Sequence, residues 1–209
     1  MISHSPNYPR LIGICGRAGS GKDSAAEAII SSFSYRRYAF ADAVKETAAA
    51  AFGISVEQFN RRHLKETPLP YWKKLPREIA QFVGTELFRD AIQKLLPDIG
   101  TDFWIRRLEM QLFLDFPSLA AVKVVIPDVR FTNEVEWILN NGGVIIDLTR
   151  PGYHGKVGIE NHSSELTLDL SKYPRESVLP LLNGGTLKEL QTAASFVIQQ
   201  YAMRSVKYQ

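Results

Sequence analysis

The feature that most constrains the fold is a glycine-rich segment near the amino terminus. Residues 16–24 read Gly-Arg-Ala-Gly-Ser-Gly-Lys-Asp-Ser, with the apolar run 11–15 before them and apolar residues at helical spacing after them. Gly16, Gly21 and Lys22 fit the spacing G-x-x-x-x-G-K in the strand–turn–helix setting that this pattern requires. Loops of this kind point backbone N–H groups at phosphate oxygens, and the positive end of the following helix adds to the attraction. The segment predicts a phosphate-binding loop; the alternative is an ordinary strand-to-helix turn.

The end of this loop departs from the common pattern, which places Ser or Thr there as a ligand for Mg²⁺. Here Asp23 stands at that position and Ser24 follows. A carboxylate is a good ligand for Mg²⁺, although it adds negative charge beside a polyphosphate. Both residues are candidate metal ligands, and the sequence leaves the choice between them open.

Composition and charge exclude several classes of protein. The chain has 209 residues, 45% of them hydrophobic, which is enough for one core and too short for two ordinary domains. The net charge of +3 suits phosphate-bearing ligands without being typical of a nucleic-acid-binding protein. The single cysteine, Cys15, lies in an apolar run, so we interpret it as a buried side chain in a reducing compartment. No apolar stretch has the length of a signal peptide or a membrane span, so we expect a cytoplasmic protein without a membrane partner.

Strand-like and helix-like segments alternate along much of the chain. This alternation, with the phosphate-binding loop, predicts an α/β, three-layer P-loop NTPase fold with about five parallel strands. Helices are expected after the first strand, between strands three and four, and from Thr186 onwards. The five predicted strands are 11–15, 35–40, 123–127, 143–149 and 177–182.

Two segments break the alternation, and both are expected to serve binding. Residues 43–116 read as several helices inserted between the second and third strands, while residues 150–165 form a long loop typical of a lid. We therefore predict a single domain, 1–209, with its core in 10–42 and 120–209.

Acidic residues follow two of the predicted strands. Asp128 closes the third strand with Arg130 two residues later, and Asp42 closes the second strand with Lys45 one helical turn on. The carboxyl ends of neighbouring parallel strands face one crevice, where an acid can hold Mg²⁺ or orient an acceptor oxygen and an arginine can bind phosphate. Either aspartate could instead cap the helix that follows it.

The helix predicted from Pro76 carries a polar stripe at four-residue steps. The stripe consists of Arg77, Gln81, Thr85 and Arg89. It could bind a phosphate and the edge of a base, or it could be an ordinary solvated face. Gly84 costs helix stability at that place, roughly 1 kcal/mol against Ala, which indicates a close approach to the backbone.

These pieces together resemble the deoxynucleoside monophosphate kinases of tailed bacteriophages. The matching segments follow the order found in that family and span most of the chain. They are Gly-Ser-Gly-Lys-Asp-Ser (19–24), Phe-Ala-Asp-Ala-Val-Lys (40–45), Pro-Arg-Glu (76–78), Gly-Thr-Glu-x-x-Arg (84–89), Asp-Val-Arg-Phe-x-Asn-Glu (128–134) and His-Ser-Ser-Glu (162–165).

The resemblance implies a kinase that uses ATP and Mg²⁺ to phosphorylate deoxynucleoside monophosphates. A homodimer is plausible on the same ground, and neither a membrane nor a nucleic acid is expected as a partner. The ATP-binding residues would be Gly16, Ala18, Gly19, Ser20, Gly21, Lys22, Asp23, Ser24, Arg150 at the start of the lid, and Asn183. The acceptor-binding residues would be Asp42, Lys45, Arg77, Gln81, Thr85, Arg89 and Asp128. The catalytic residues would be Lys22, Asp42 and Arg130, and the metal ligands would come from Asp23, Ser24 and Asp128.

Some residues and some functions stay open at this level. His162 and Glu165 match the family pattern without a physical role, and Arg61 and Arg62 are lid-like cations without a motif. The competing functions are another small-metabolite kinase, of the dephospho-coenzyme A or phosphomevalonate type, and a nucleotide-dependent ATPase switch. A purely structural domain would leave the phosphate-binding loop unexplained.

Overall fold

Five parallel strands form the centre of the molecule. The computed structural model describes residues 7–118, 122–152 and 168–204. The strand order is β2-β3-β1-β4-β5, so the first strand lies in the middle of the sheet. The strands are β1 (Leu11–Cys15), β2 (Arg36–Arg37), β3 (Val124–Ile126), β4 (Val144–Thr149) and β5 (Val178–Leu182).

The central strand is buried on both faces because successive side chains point to opposite sides of the sheet. Ile12 and Ile14 pack against α1 (Lys22–Phe33) and α8 (Leu187–Arg204). Leu11 and Cys15 pack on the other side, against α6 (Phe103–Asp115) and α7 (Thr132–Asn140). The result is the three-layer arrangement that the alternation of strands and helices predicted.

Helices between β2 and β3 form a second, smaller core. Its buried side chains include Phe59, Ile79 and Trp104. The α-helices of this insertion, besides α6, are α2 (Phe40–Phe52), α3 (Glu57–Asn60), α4 (Arg62–Lys65) and α5 (Pro76–Phe82). A π-helical stretch, Val83–Asp90, continues α5, and short 3₁₀ turns follow at Ala91–Lys94 and Pro97–Ile99.

The second strand is shorter than the sequence predicted. Residues 35–40 were expected to be extended, but β2 covers only Arg36–Arg37, and Phe40 is already the first residue of α2. The cause is a long-range contact, because Asp128 accepts hydrogen bonds from the backbone N–H groups of Phe40 and Ala41. That contact satisfies donors at the start of the helix, which have no partners within it. The other four strands match their predicted positions to within one residue at each end.

Within 7–118, 122–152 and 168–204, no helix combines the length and the apolar character that crossing a membrane requires. The presumed lid at 150–165 lies mostly outside the described residues, as do His162 and Glu165.

Candidate active site

The glycine-rich segment forms a tight loop between β1 and α1. Gly16 has a φ of 147° and Gly21 a φ of 106°, values that other residues adopt only with strain. Both positions are also crowded. A Cβ at Gly16 would lie 2.5 Å from the carbonyl oxygen of Leu148, and one at Gly21 would lie 2.7 Å from Leu190. The loop shape thus depends on glycine at both places.

Lys22 is the first residue of α1, and its side chain reaches back over the loop. Its ammonium donates to the carbonyl oxygens of Gly16, at 2.7 Å, and Arg17, at 3.0 Å. The cation is therefore held directly above the turn in which a polyphosphate would lie.

Two residues from distant parts of the chain also contact the loop. Asn183, just after β5, donates through Nδ2 to the carbonyl oxygen of Ser20 at 2.8 Å. Arg150, just after β4, donates through Nη1 to the carbonyl oxygen of Gly19 at 3.2 Å. Both residues were expected beside ATP, and both lie beside its predicted site.

The protein groups near the loop suit a magnesium ion that takes most of its ligands from phosphates and water. Asp23 is exposed and Ser24 half-buried in the first turn of α1. No group of three or more His, Cys, Asp or Glu residues arranged for a metal occurs in the described part of the chain. Because Mg²⁺ commonly takes one or two carboxylates and completes its shell with substrate phosphates and water, these residues fit it.

Asp128 links the end of β3 to the start of α2. Its carboxylate accepts from the N–H of Ala41 at 2.7 Å and from that of Phe40 at 3.2 Å. Burial raises its pKa, and these two hydrogen bonds and the charge of Arg130 oppose the rise. Asp128 does cap a helix, which was the alternative to a role in binding metal or acceptor. That helix is α2, however, and not the helix that follows Asp128 in the sequence.

Asp42 lies in the first turn of α2 rather than at the end of a strand. Its carboxylate pairs with Arg37 at 2.8 Å and lies 3.8 Å from the ammonium of Lys45. It lines a separate groove between α2 and α6, with Arg37, and is not among the residues that line the cleft described next. Asp42 thus lies beside Lys45 but does not line the cleft with the other residues predicted to bind the acceptor.

A cleft between α2, α5 and the start of α7 brings most of the predicted acceptor residues together. Its volume is about 190 Å³. Its lining includes apolar side chains, among them Val44, Phe59 and Ala80. The predicted residues that line it are Lys45, Arg77, Gln81, Thr85, Arg89, Asp128 and Arg130.

The polar stripe of α5 and the π-helical stretch faces this cleft and not solvent. The close approach inferred at Gly84 is confirmed, since a Cβ there would lie 3.2 Å from Val44 of α2. Trp104 also donates to the carbonyl oxygen of Gly84 at 2.8 Å. Glycine thus lets α2 pack closely against the wall that carries the stripe.

Gln81 presents an unsatisfied acceptor in this wall. Its Oε1 atom is buried and has no hydrogen-bond partner within the described residues. Buried polar atoms are almost always paired, so an unpaired one at a cleft indicates a ligand or an ordered water.

Four cations line the cleft close to one another. Burial and the neighbouring positive charges of Arg77, Lys45 and Arg130 lower the pKa of Lys65, against the opposing charge of Glu66. Like charges held together in this way create a site for an anion with more than one negative charge. A nucleoside monophosphate carries such a group.

The comparisons with known proteins show the family to which the chain belongs. No family model matches the chain. A mimivirus protein provisionally named a deoxynucleotide monophosphate kinase is 33% identical over 185 residues, which cover 86% of this chain and 91% of that protein. The chain belongs to the deoxynucleoside monophosphate kinase family. The Deoxynucleoside-5'-monophosphate kinase of Escherichia phage T5 is 27% identical over 66% of this chain and 74% of its own length.

A third relative of this kinase and one solved structure are more distant. The Deoxynucleotide monophosphate kinase of Enterobacteria phage T4 is 23% identical, over 87% of this chain and 95% of its own length. A gluconokinase from Sinorhizobium meliloti 1021 aligns over 96% of this chain and 97% of its own with a TM-score of 0.48 and 15% identity, a likeness too low to add to the argument.

Sequence reasoning missed three charged residues around the site of this kinase. Lys65 follows the two arginines that were considered instead; Arg61 pairs with Glu57, and the side chain of Arg62 lies outside the described part. Arg37 was placed inside a predicted strand. Glu134 was noted only as part of a motif.

A signal for one of these residues was present in the sequence. Lys65 lies four residues after Arg61, which is about one turn of an α-helix. A helix predicted over these residues would have made Lys65 a candidate together with Arg61. The roles of Arg37 and Glu134 depend on partners far along the chain, which local spacing does not reveal.

Proposed function

We propose that this chain transfers the terminal phosphate of ATP to the phosphate of a deoxynucleoside monophosphate that is bound between the helical insertion and the sheet. The observation that carries the proposal is the cluster of Lys45, Lys65, Arg77 and Arg130 in a cleft that is also lined by apolar side chains. A nucleotide has the matching parts, a doubly charged phosphate and a flat, largely apolar base.

The donor would lie on the loop between β1 and α1. Backbone N–H groups and Lys22 would hold its β- and γ-phosphates, with Arg150 and Asn183 beside the loop. When bound, Mg²⁺ would neutralise charge on these phosphates, with Asp23 or Ser24 as the nearer protein ligands and Asp128 as a candidate at the end of β3.

The acceptor is already an oxyanion, so the reaction needs no strong general base. The chain would act by holding the two phosphates in line and by spreading negative charge over Lys22 and Arg130 as the phosphoryl group moves. Asp42 was predicted to orient the acceptor, but its ion pair with Arg37 and its place outside the cleft favour a supporting role.

An acceptor panel tests this function. ADP release from ATP is measured with each of the four deoxynucleoside monophosphates, with their ribose counterparts, and with dephospho-coenzyme A and phosphomevalonate. We expect release that depends on a deoxynucleoside monophosphate. Release that is slow and independent of any acceptor would instead favour an ATPase switch.

The variant Lys22→Ala tests whether the loop between β1 and α1 is the donor site. Removing the cation above the phosphates should abolish most transfer with every acceptor. Full activity in a folded Lys22→Ala protein would contradict the proposed donor site.

A further inference from the structure

A buried ion pair joins the acceptor wall to the loop that follows β3. Among the described residues, only Ser20, Arg89 and Glu134 are polar and buried. The last two form the pair, with side chains 5% and 2% exposed. Arg89 lies in the π-helical stretch and Glu134 in the first turn of α7.

Both oxygens of the Glu134 carboxylate are used. Oε1 accepts from Nη2 of Arg89. Oε2 accepts from the backbone N–H of Arg130 at 2.8 Å and from that of Phe131 at 3.1 Å. One carboxylate thus holds one cleft arginine by its side chain and another by its main chain.

Further contacts hold the same two segments together. Nη1 of Arg89 donates to the carbonyl oxygen of Thr101 at 3.0 Å, and its guanidinium lies 3.8 Å from the centre of the Phe131 ring. Asn133, next to Glu134, donates to the same carbonyl oxygen at 3.2 Å and to Asp102 at 2.8 Å. The acceptor wall and the loop after β3 are therefore attached at several points.

The pair is a costly way to obtain stability. Burying two charges removes them from water, and apolar residues of similar size often stabilise such a place as well or better. A charged pair that makes several hydrogen bonds instead holds its groups in one defined geometry. Arg89 and Arg130 both line the acceptor cleft, so the geometry that is defined is that of its cations.

We propose that Glu134 is a positioning residue that fixes the placement of Arg89 relative to Arg130 and so aligns the acceptor phosphate with the phosphate-binding loop. The inference rests on the proposed function. Glu134 itself does not touch the substrate in this account; it acts through the two arginines.

The test is the kinetics of Glu134→Gln, which keeps the size of the side chain and removes its charge. Misplacing a binding group by about 1 Å can lower the reaction rate on the order of a hundredfold. We therefore expect KM for the deoxynucleoside monophosphate to rise by about tenfold to a hundredfold and kcat to fall, while KM for ATP stays at its wild-type value. Circular dichroism gives the folded fraction of the variant in the assay.

Two results with folded protein would overturn the inference. One is wild-type constants for both substrates. The other is a loss of kcat in proportion to the folded fraction with both KM values unchanged, since that outcome describes a purely structural pair.

A second variant decides the matter if Glu134→Gln does not fold. Asn133→Ala removes the hydrogen bond to the carbonyl that also holds Arg89, together with the one to Asp102, without changing any residue that lines the cleft. We expect KM for the deoxynucleoside monophosphate to rise by about two- to tenfold, the effect of losing the neutral hydrogen bond to that carbonyl. An unchanged KM would overturn the inference. A wild-type protein that phosphorylates no deoxynucleoside monophosphate would contradict the proposed function instead.

Discussion

At the scale of single residues, Lys65 is the cation whose surroundings say most about the ligand. Its charge is disfavoured by burial and by three neighbouring cations. A protein retains such a group where an anion compensates the repulsion. The unfavourable surroundings of the Lys65 charge therefore support the proposal that the acceptor phosphate binds beside it.

Replacing Lys65 by Ala should weaken the acceptor and spare the donor. A lost charged hydrogen bond, about 1.5–3 kcal/mol, corresponds to a rise in KM for the deoxynucleoside monophosphate of about tenfold or more. KM for ATP should not change. Lys94→Ala is the matched control, because Lys94 is exposed and does not line the cleft. Equal effects of the two variants would contradict the placement of the phosphate.

Gln81→Met should separate stability from acceptor binding. In the protein without ligand the variant removes a buried acceptor that has no partner in the described part of the chain, so thermal unfolding should stay the same or move upward by the equivalent of about 1 kcal/mol. KM for the deoxynucleoside monophosphate should rise nonetheless. Gln199→Met, at an exposed position of α8, is the control for both measurements. A destabilised Gln81→Met protein with normal KM would show that Gln81 is only structural.

Glu134 also gives the folded protein a defined pH dependence. Burial raises its pKa from 4.5 to about 7, with the charge of Arg89 opposing the rise. Between those two values the folded protein holds a proton that the unfolded chain has lost, so the contribution of Glu134 to stability falls as pH rises through this window.

The comparison of wild type with Glu134→Gln isolates this titration. The free energy of unfolding of wild type minus that of the variant should decrease between pH 4.5 and about 7, with a slope of at most about 1.4 kcal/mol per pH unit. Urea unfolding across this range measures it. A difference that is constant or grows with pH would show that the charge of Arg89 and the two backbone hydrogen bonds outweigh the effect of burial on the pKa of Glu134.

At the scale of elements, the junction between β2 and α2 depends on Asp128, which lies two residues after β3. Asp128 supplies the hydrogen bonds that a capping side chain would otherwise give to the first turn of α2. Since α2 forms part of the acceptor cleft, the same carboxylate connects the end of the sheet to the position of the acceptor.

Asp128→Ala should therefore destabilise the protein even without metal or nucleotide. The loss should be about 1–2 kcal/mol, as for the removal of a helix cap. Urea unfolding in EDTA measures it, with Asp98→Ala, in an exposed 3₁₀ turn, as the control. If Asp128→Ala matches wild type in EDTA, the aspartate has no capping role.

The same junction shows how far the sequence could predict this fold. The apolar runs of β1, β3, β4 and β5 were sufficient, because a strand buried on both faces is apolar throughout. At β2 the pattern failed. Both of its residues are exposed, and its end is set by an aspartate 88 residues away. Local spacing carries no information about such a partner.

At the scale of the whole molecule, the sheet order places the two binding regions at one edge. The glycine-rich loop follows β1, and Asp128 lies two residues after the end of its neighbour β3. Ligands of open parallel sheets bind at this carboxyl edge. The helical insertion follows β2 and carries most cations of the acceptor cleft, so the proposed function requires these cations to face the donor on the loop.

The candidate site was predictable in the same uneven way. The loop and the polar stripe follow local rules of sequence spacing. Most of the residues predicted from them lie on the loop or line the cleft. The roles of three other residues depend on neighbours that only the fold brings close to them; these are Lys65, Arg37 and Glu134. Asp42, by contrast, was placed at the end of the second strand, which in the structure already ends at Arg37.

The central claim is that one phosphate chain can run from the loop at Gly16–Ser24 to the cations of the insertion. The most direct test is a crystal structure with a bisubstrate compound, adenosine and a deoxynucleoside joined through their 5′ positions by five phosphates, in the presence of Mg²⁺. We predict phosphates along the loop and beside Lys65 and Arg77, with the deoxynucleoside base near Gln81. A compound whose phosphates bypass the loop, or whose deoxynucleoside lies outside the cleft, would contradict the account.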